Sequence, residues 1–262
     1  MLSSTQWLAK QNLYVERGSS PALCLGEIMK KIKLTPRLAA IAALVEKCDA
    51  VADIGTDHGF IPTYLVQQNV CKRAIASDIN EGPLNSAIKT AQMYGVTDKL
   101  EFICAPGLEG VTPGSVDTVV IAGMGGETIV EILSVAEWVK EYKTQLILQP
   151  QSKFELFEDY LNKNGFAIDK AILIKDAGRL YIAFAVHYTG DIVERDITYF
   201  AQYLKTDPLF SEYATNLIKK LNLRKNGLES ATNPNSDELN FINRTLDYLK
   251  NIVEEVENNG NS

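Results

Sequence analysis

The chain has 262 residues, of which 46% are apolar and 23% are charged, with a net charge of −7. Such a composition is typical of a globular protein that buries a core of its own, and the acidic balance argues against a binder of nucleic acid that is basic all over. The four cysteines are scattered and only two histidines are present, so we expect no metal site and reduced thiols, as in a cytoplasmic protein. No apolar run reaches the roughly 18 residues of a membrane span, so we expect no membrane partner.

Residues 1–28 form neither a helical nor a strand pattern, whereas the segment that begins at Met29 resembles a new N-terminus. Codons for Gly26 to Ile28 can hold a ribosome-binding sequence just before the Met29 codon. We therefore expect residues 1–28 to be a leader that arises from a misassigned start. A genuine disordered tail is the alternative, and the apolar stretch near Leu23 is too short for a secretory signal.

Short apolar runs alternate with helical segments over the first two thirds of the chain. Thr35 suits a helix cap and Pro36 a first helical position, for a helix that reaches Lys47. We expect strands at 50–54, 73–77, 100–104, 118–122 and 145–149, separated by helices at 60–68, 81–94, 128–133 and 154–164. This alternation predicts a parallel sheet with helices on both faces.

Two longer strands follow, at 167–174 and 180–187, joined by a five-residue turn. So short a connection requires an antiparallel pair. Five alternating strands that end in such a hairpin are the plan of a class I methyltransferase, an α/β Rossmann-like sheet, whereas a nicotinamide-binding fold normally ends on another parallel strand. We assign this domain to residues 29–188.

The last part of the chain, 189–262, changes character. Helices are predicted at 191–205, 209–226 and 237–257, with a polar loop at 227–236 and a disordered end. In the last helix, apolar residues recur at spacings of three and four: Leu239, Ile242, Leu246, Leu249 and Val253. We expect the two long helices to form an antiparallel, coiled-coil-like hairpin.

The segment Asp53–Gly59 combines a strand end with a tight turn that contains two glycines. Asp78 ends the next strand, where a carboxylate accepts hydrogen bonds from ribose hydroxyls. Acids at Asp53 and Asp57 disfavour a pyrophosphate and favour the cationic end of S-adenosylmethionine. A generic strand-to-helix turn, and a capping role for Asp78, are the structural alternatives.

We expect the cofactor to contact residues that follow strands one to four: Asp53, Gly55, Thr56, Asp78, Ile79, Ala105, Gly107 and Gly123. The third strand is followed by Pro106, where methyltransferases often carry an acid that binds the adenine amino group. Adenine recognition here would therefore rest on backbone groups or on another side chain.

The end of the fourth strand, Ala122 to Gly126, lies where methyl donor and acceptor meet in this architecture. Its glycines would let the backbone approach a flipped base, and we expect Gly125 and Gly126 to contact substrate. Asp57, His58 and Met124 are the candidate catalytic residues: His58 as a base or a base-stacking group, or else as a capping or packing residue. Gln149 could read a base edge or serve as a loop residue.

Four parts of the chain together resemble the bacterial tRNA adenine-N1 methyltransferases that modify adenosine 22 of the D-arm. They are Lys33 to Leu38, Asp53 to Gly59, the Ala-Gly-Met-Gly-Gly run that ends at Gly126, and the helical tail. The resemblance implies a class I methyltransferase, S-adenosyl-L-methionine as cofactor, tRNA as substrate and a tail that helps to hold the RNA. Methylation of another substrate, or a non-catalytic cofactor-binding scaffold, remain alternatives.

Basic residues cluster at 30–37 and 219–225 despite the acidic balance. Two such clusters beside a cleft suit phosphate contacts, although each is also an ordinary solvated face. The expected RNA contacts are Arg37, Lys219, Lys220 and Arg224. We expect the protein to act as a monomer.

Overall fold

The computed structural model describes residues 30–194, 196–232 and 235–260. The expected leader 1–28 and the start at Met29 lie outside the described residues. The first helix, α1, spans Pro36–Ala42, and the Thr35 hydroxyl accepts a hydrogen bond from the Leu38 backbone amide, as its sequence predicts. The helix is shorter than expected, since turns replace its last residues before the sheet begins.

Seven strands form one mixed sheet, in the order β3-β2-β1-β4-β5-β7-β6. The first five are parallel to one another, while β7 is antiparallel to both β5 and β6. The strands are β1 Ala50–Ile54, β2 Arg73–Asp78, β3 Leu100–Cys104, β4 Thr118–Met124, β5 Gln145–Pro150, β6 Phe166–Asp176 and β7 Arg179–Tyr188. The predicted parallel sheet with an antiparallel closing hairpin is confirmed.

The last residues of β4 interrupt its pairing with β5. Ala122 faces Gln149 and Met124 faces Pro150, so Gly123 is an extra residue with a positive φ of 85°. A bulge at a strand end redirects the following chain. Here it places Met124 and the turn into the next helix at the carboxyl edge of the sheet.

Helices cover both faces of the sheet, and the connection between β5 and β6 is also helical. They are α2 Phe60–Gln67, α3 Glu81–Met93, α4 Gly126–Val135, α5 Trp138–Glu141 and α6 Phe154–Lys163. The short helix α5 was not expected. In the described part of the chain, no helix combines the length and apolarity that a membrane crossing needs.

The predicted helix at 191–205 is wrong for most of its length. Of the residues described in this segment, only Ala201–Leu204, α7, is helical, because Tyr199 and Phe200 have positive φ angles of 50° and 62°, which no α-helix accommodates. Phe200 instead lies fully buried, with its ring 4.4 Å from that of Phe184 between centroids. Burial of this side chain outweighs the local helical preference.

The tail continues with α8 Phe210–Glu229 and α9 Ser236–Gly260, which pack against each other. Both are longer than expected, so the connecting loop is shorter. Their buried residues join the same apolar core as β4, β5 and α6: Phe210, Ala214, Leu217, Leu221, Ile242, Leu246, Leu249 and Ile252. The tail therefore packs on the sheet through a continuous core; the boundary at 188/189 and the coiled-coil character stay predictions.

Candidate functional site

The turn after β1 is held by the neighbouring strand. The backbone amides of Gly55 and Thr56 both donate to the Ser77 carbonyl oxygen, at 2.8 and 3.0 Å. Gly55 and Gly59 have positive φ angles of 75° and 64°, which glycine adopts without strain. The carboxyl ends of β1 and β2 thus form one rigid edge.

Asp53 is almost fully buried at this edge, with 6% of its surface exposed. Burial raises the pKa of its carboxyl from 3.8 to about 6, and the nearby negative charge of Asp78 adds to the rise. A buried carboxyl of this kind gains from a cation placed beside it. The edge is therefore suited to a positively charged group.

Asp78 ends β2 in a fixed orientation, because its Oδ1 accepts a 2.8 Å hydrogen bond from the Asn80 amide. The next side chain, Ile79, is 63% exposed. The Ala105 amide donates to the Asp78 carbonyl oxygen at 3.1 Å, and Gly107 follows with a positive φ of 52°. An oriented carboxylate beside an exposed apolar side chain can bind a ribose and cover a flat ring.

Met124 lies against the glycine turn. A β-carbon at Gly55 would lie 2.1 Å from the Met124 methyl carbon, so only glycine permits this contact. The adjacent Gly126 has a different role, since its amide donates to Ser152 and a β-carbon there would lie 2.8 Å from backbone oxygens of the 152–153 segment. The Gly126 amide is therefore not free to donate a hydrogen bond to the substrate, which Gly126 was expected to contact.

Arg37 is the cation of this region. Its Nη1 donates a 2.8 Å hydrogen bond to Gln149 Oε1, and its guanidinium carbon lies 5.5 Å from the centre of the Tyr181 ring. Gln149 is fully buried, and its amide nitrogen donates to the Pro150 carbonyl oxygen. The β4 bulge at Gly123 is adjacent, with a hypothetical β-carbon 3.5 Å from Arg37 Nη1.

Several expected residues line one cleft at the carboxyl edge of the sheet: Arg37, Asp53, Gly55, Thr56, Asp57 and His58. Phe60, which was not expected, lines it too, and its ring stacks on His58 with centroids 5.3 Å apart. His58 Nε2 also lies 3.4 Å from the Asp57 carboxylate. The sequence signal that could have predicted Phe60 in the cleft is its position as an aromatic residue directly after Gly59.

Two further partners of Arg37 were missed as well. The Arg37 amide donates to Asp176 at 3.2 Å, and Tyr181 contacts the guanidinium. Both belong to the β6–β7 hairpin, 139 residues from Arg37 in the case of Asp176. No local pattern could have joined them.

The basic residues of α8 differ in environment. Lys219 and Lys220 are exposed, and neither forms an ion pair with another described residue. Arg224 instead bridges Glu155 of α6 at 2.7 Å and Glu238 of α9 at 2.8 Å. Although burial alone raises the pKa of Glu155, hydrogen bonds from Tyr199 and Arg224 outweigh it and hold that pKa below its ordinary value.

Among the described residues, no group of three or more histidine, cysteine or acidic side chains is arranged to hold a metal ion. The Asp53, Asp57 and Asp78 carboxylates are distributed around the turn, two of them on strand ends. Of these three, Asp53 and Asp57 line the cleft.

Comparisons with known proteins agree with this geometry. A family model for the methyltransferase domain matches residues 34–184. The tRNA (adenine(22)-N(1))-methyltransferase of Bacillus subtilis is 32% identical over 153 residues, which are 58% of this chain and 64% of that protein. The alignment therefore spans slightly less than two thirds of that relative.

Solved structures match over more of the chain. The B. subtilis tRNA methyltransferase TrmK has a TM-score of 0.74 at 25% identity, and the match covers 85% of this chain and 100% of that chain. A Streptococcus pneumoniae protein in complex with S-adenosyl-L-methionine has a TM-score of 0.72 at 26% identity, covering 84% and 99% of the two chains. With more than half of its length matched by the family model, and with the sheet order described above, the chain belongs to the methyltransferase domain family.

Proposed function

We propose that the protein transfers a methyl group from S-adenosyl-L-methionine to N1 of adenosine 22 in tRNA. The observation that carries the proposal is the acid-lined glycine turn of Asp53 to Gly59, which lines a cleft together with Arg37. The B. subtilis relative named for this reaction supports the substrate.

The side chains around the turn fit the cofactor by their chemistry. Asp78 would accept hydrogen bonds from the ribose, while Ile79, Ala105 and Gly107 would flank the adenine ring. The buried Asp53 would interact with the cationic amino-acid end, with Gly55 and Thr56 supplying close backbone contact. When bound, S-adenosyl-L-methionine supplies an electrophilic methyl group.

The acceptor needs alignment more than activation. Adenine N1 carries a lone pair, so the protein does not have to remove a proton before the bond forms. Because N1 lies on the Watson–Crick edge, the base must first leave its stack. We propose that Met124 and Gly123 shape the base pocket and that the exposed Asp57 carboxylate receives the proton that the exocyclic amine releases afterwards.

Arg37 is suited to a phosphate of the extruded nucleotide. Arginine presents several donors in one plane, and Gln149 occupies only one of them. We therefore assign Gln149 the positioning of Arg37. The glycines at 125 and 126 shape the turn that carries Met124, with the Gly126 amide taken by Ser152.

The tail would hold the rest of the RNA. Lys219 and Lys220 are available for phosphates, whereas Arg224 is engaged with Glu155 and Glu238. We further propose a monomeric protein and, because its substrate is tRNA, a cytoplasmic location. Light scattering of the purified protein measures its molar mass in solution and so tests whether it is a monomer.

The test is methyl transfer to defined tRNA transcripts. The purified chain is incubated with labelled S-adenosyl-L-methionine and either a tRNA with adenosine at position 22 or the same tRNA with guanosine there. We expect 1-methyladenosine in a nucleoside digest of the first transcript alone. Equal labelling of both transcripts contradicts the position, and cofactor binding without transfer to any RNA supports the scaffold alternative.

A further inference from the structure

We propose that the stacked rings of His58 and Phe60 form a platform on which an unstacked nucleobase of the substrate RNA stacks. The inference rests on the proposed function and assigns these two residues to RNA binding. The rings lie 5.3 Å apart between centroids and are inclined by only 21°. They therefore form a stack, whose outer ring face can take a further flat ring.

The backbone at Gly59 produces this arrangement. Its φ of 64° is left-handed, and the side chains on either side of it point the same way, as the stacking of residues 58 and 60 requires. A β-carbon at Gly59 would lie 2.7 Å from that of Ala87, so α3 also packs directly on this residue. The platform is consequently built on a rigid part of the fold.

Exposure distinguishes these rings from core residues. Phe60 is 37% exposed, and the His58 side chain is 50% exposed. A single exposed aromatic residue is common in folded proteins. Two stacked rings on the wall of the cleft that also contains Asp53 and Arg37 are a different situation, because this cleft is the proposed reaction site.

The chemistry of the surroundings favours a nucleobase as the occupant. Every base has a flat π-face, and stacking on aromatic side chains tolerates any sequence. The cation needed for the nucleotide's phosphate is present in the same cleft, as Arg37. The Asp57 carboxylate lies beside the stack, 3.4 Å from His58 Nε2.

The experiment compares alanine and aromatic replacements in steady-state methylation of tRNA. We expect His58→Ala and Phe60→Ala each to raise KM for tRNA roughly 5- to 100-fold, the range of one lost base stack, with little change in kcat. His58→Phe and Phe60→Tyr should restore KM to near the wild-type value. The affinity for S-adenosyl-L-methionine should stay within about twofold in every variant, and this binding also reports that the variants fold.

Tyr142→Ala is the matched control. Tyr142 is another exposed aromatic residue, but it lies just before β5 begins and hence at the opposite, amino edge of the parallel strands. We expect the Tyr142→Ala variant to have the same KM for tRNA as the wild-type protein.

Three results would overturn the platform. Alanine variants with the wild-type KM would exclude stacking. A His58→Phe variant as impaired as His58→Ala would assign the histidine a proton-transfer or hydrogen-bonding role. A parallel loss of cofactor affinity would place the rings against the cofactor. Absence of tRNA methylation by the wild-type protein would instead contradict the proposed function itself.

Discussion

The Arg37 guanidinium donates a 2.8 Å hydrogen bond to Gln149, a residue that lies 112 positions later in the chain. Gln149 is the penultimate residue of β5 and is fully buried, so its oxygen is a fixed acceptor. This pair joins the first helix to the middle of the sheet at the cleft. It brings Arg37, a cation of the cleft lining, into a defined position.

Gln149→Leu tests that relationship. Leucine keeps most of the volume but removes the acceptor, so Arg37 becomes free to take other rotamers. We expect KM for tRNA to rise about tenfold, an amount typical of a hydrogen bond to a charged group, with unchanged cofactor affinity. Arg37→Lys should have a similar effect, because lysine keeps the charge but lacks the fork.

The double variant that combines Arg37→Lys with Gln149→Leu should have a KM for tRNA no higher than that of either single variant, since both changes remove the same interaction. Gln92→Leu, at an exposed glutamine of α3, serves as the control. Additive effects of the two changes would refute the coupling.

Gly55→Ala should impair cofactor binding. The new β-carbon would collide with the Met124 methyl group. The alanine backbone would also have to keep the positive φ of 75°, which costs about 1 to 3 kcal/mol in strain. We expect at least a tenfold weaker affinity for S-adenosyl-L-methionine, measured by calorimetry, and a lower melting temperature.

Met124→Ala in the same chain removes the steric part of this cost. The two substitutions together should therefore cost less stability than the sum of the single ones, while the backbone strain remains. Strict additivity in urea unfolding would show that Met124 does not contact Gly55.

Asp53→Asn should stabilise the cofactor-free protein in a pH-dependent way. The folded pKa is about 6 and the ordinary value is 3.8, so between these values the unfolded chain loses a proton that the folded chain keeps. Stability therefore falls as pH rises through this window, by at most about 3 kcal/mol, and stays lower above it.

Asparagine carries no charge, so its advantage over aspartate should be near zero at pH 4 and fully developed at pH 7.5. Urea unfolding of both proteins at the two pH values measures it. The same variant should bind S-adenosyl-L-methionine more weakly, because the carboxylate is lost. An equal stability difference at both pH values would contradict the assigned cause.

Lys219→Ala and Arg224→Ala should separate RNA contact from internal structure. Each lysine that neutralises a phosphate contributes about one unit to the slope of log affinity against log salt concentration. We expect Lys219→Ala and Lys220→Ala each to reduce this slope by about one.

Arg224→Ala should leave the salt slope unchanged, because its guanidinium already pairs with Glu155 and Glu238. It should lower the free energy of unfolding by about 1 kcal/mol, as these partly exposed ion pairs are worth little individually. A reduced slope for Arg224→Ala would show that the arginine contacts RNA.

The alternating strands and helices, the antiparallel closing hairpin and the turn at Asp53–Gly59 followed from the sequence alone. These features depend on short-range effects: the apolar period of a segment, the length of a connection, and the φ angles that glycine permits. The prediction of a helix at 191–205 was wrong for most of that segment because it used short-range effects alone. The burial of Phe200 is a long-range effect, and it overrides the local helical preference.

Only the tertiary structure decided which side chains meet at the cleft. Sequence reasoning named Arg37, Gln149 and His58 singly, but the order and register of the strands bring Arg37 to Gln149 and Tyr181. In the same way, the docking of α8 on α6 turns Arg224 from a candidate RNA contact into an internal bridge. Contacts between residues far apart in the chain depend on how all the elements pack, and that is a property of the whole fold, which no single segment contains.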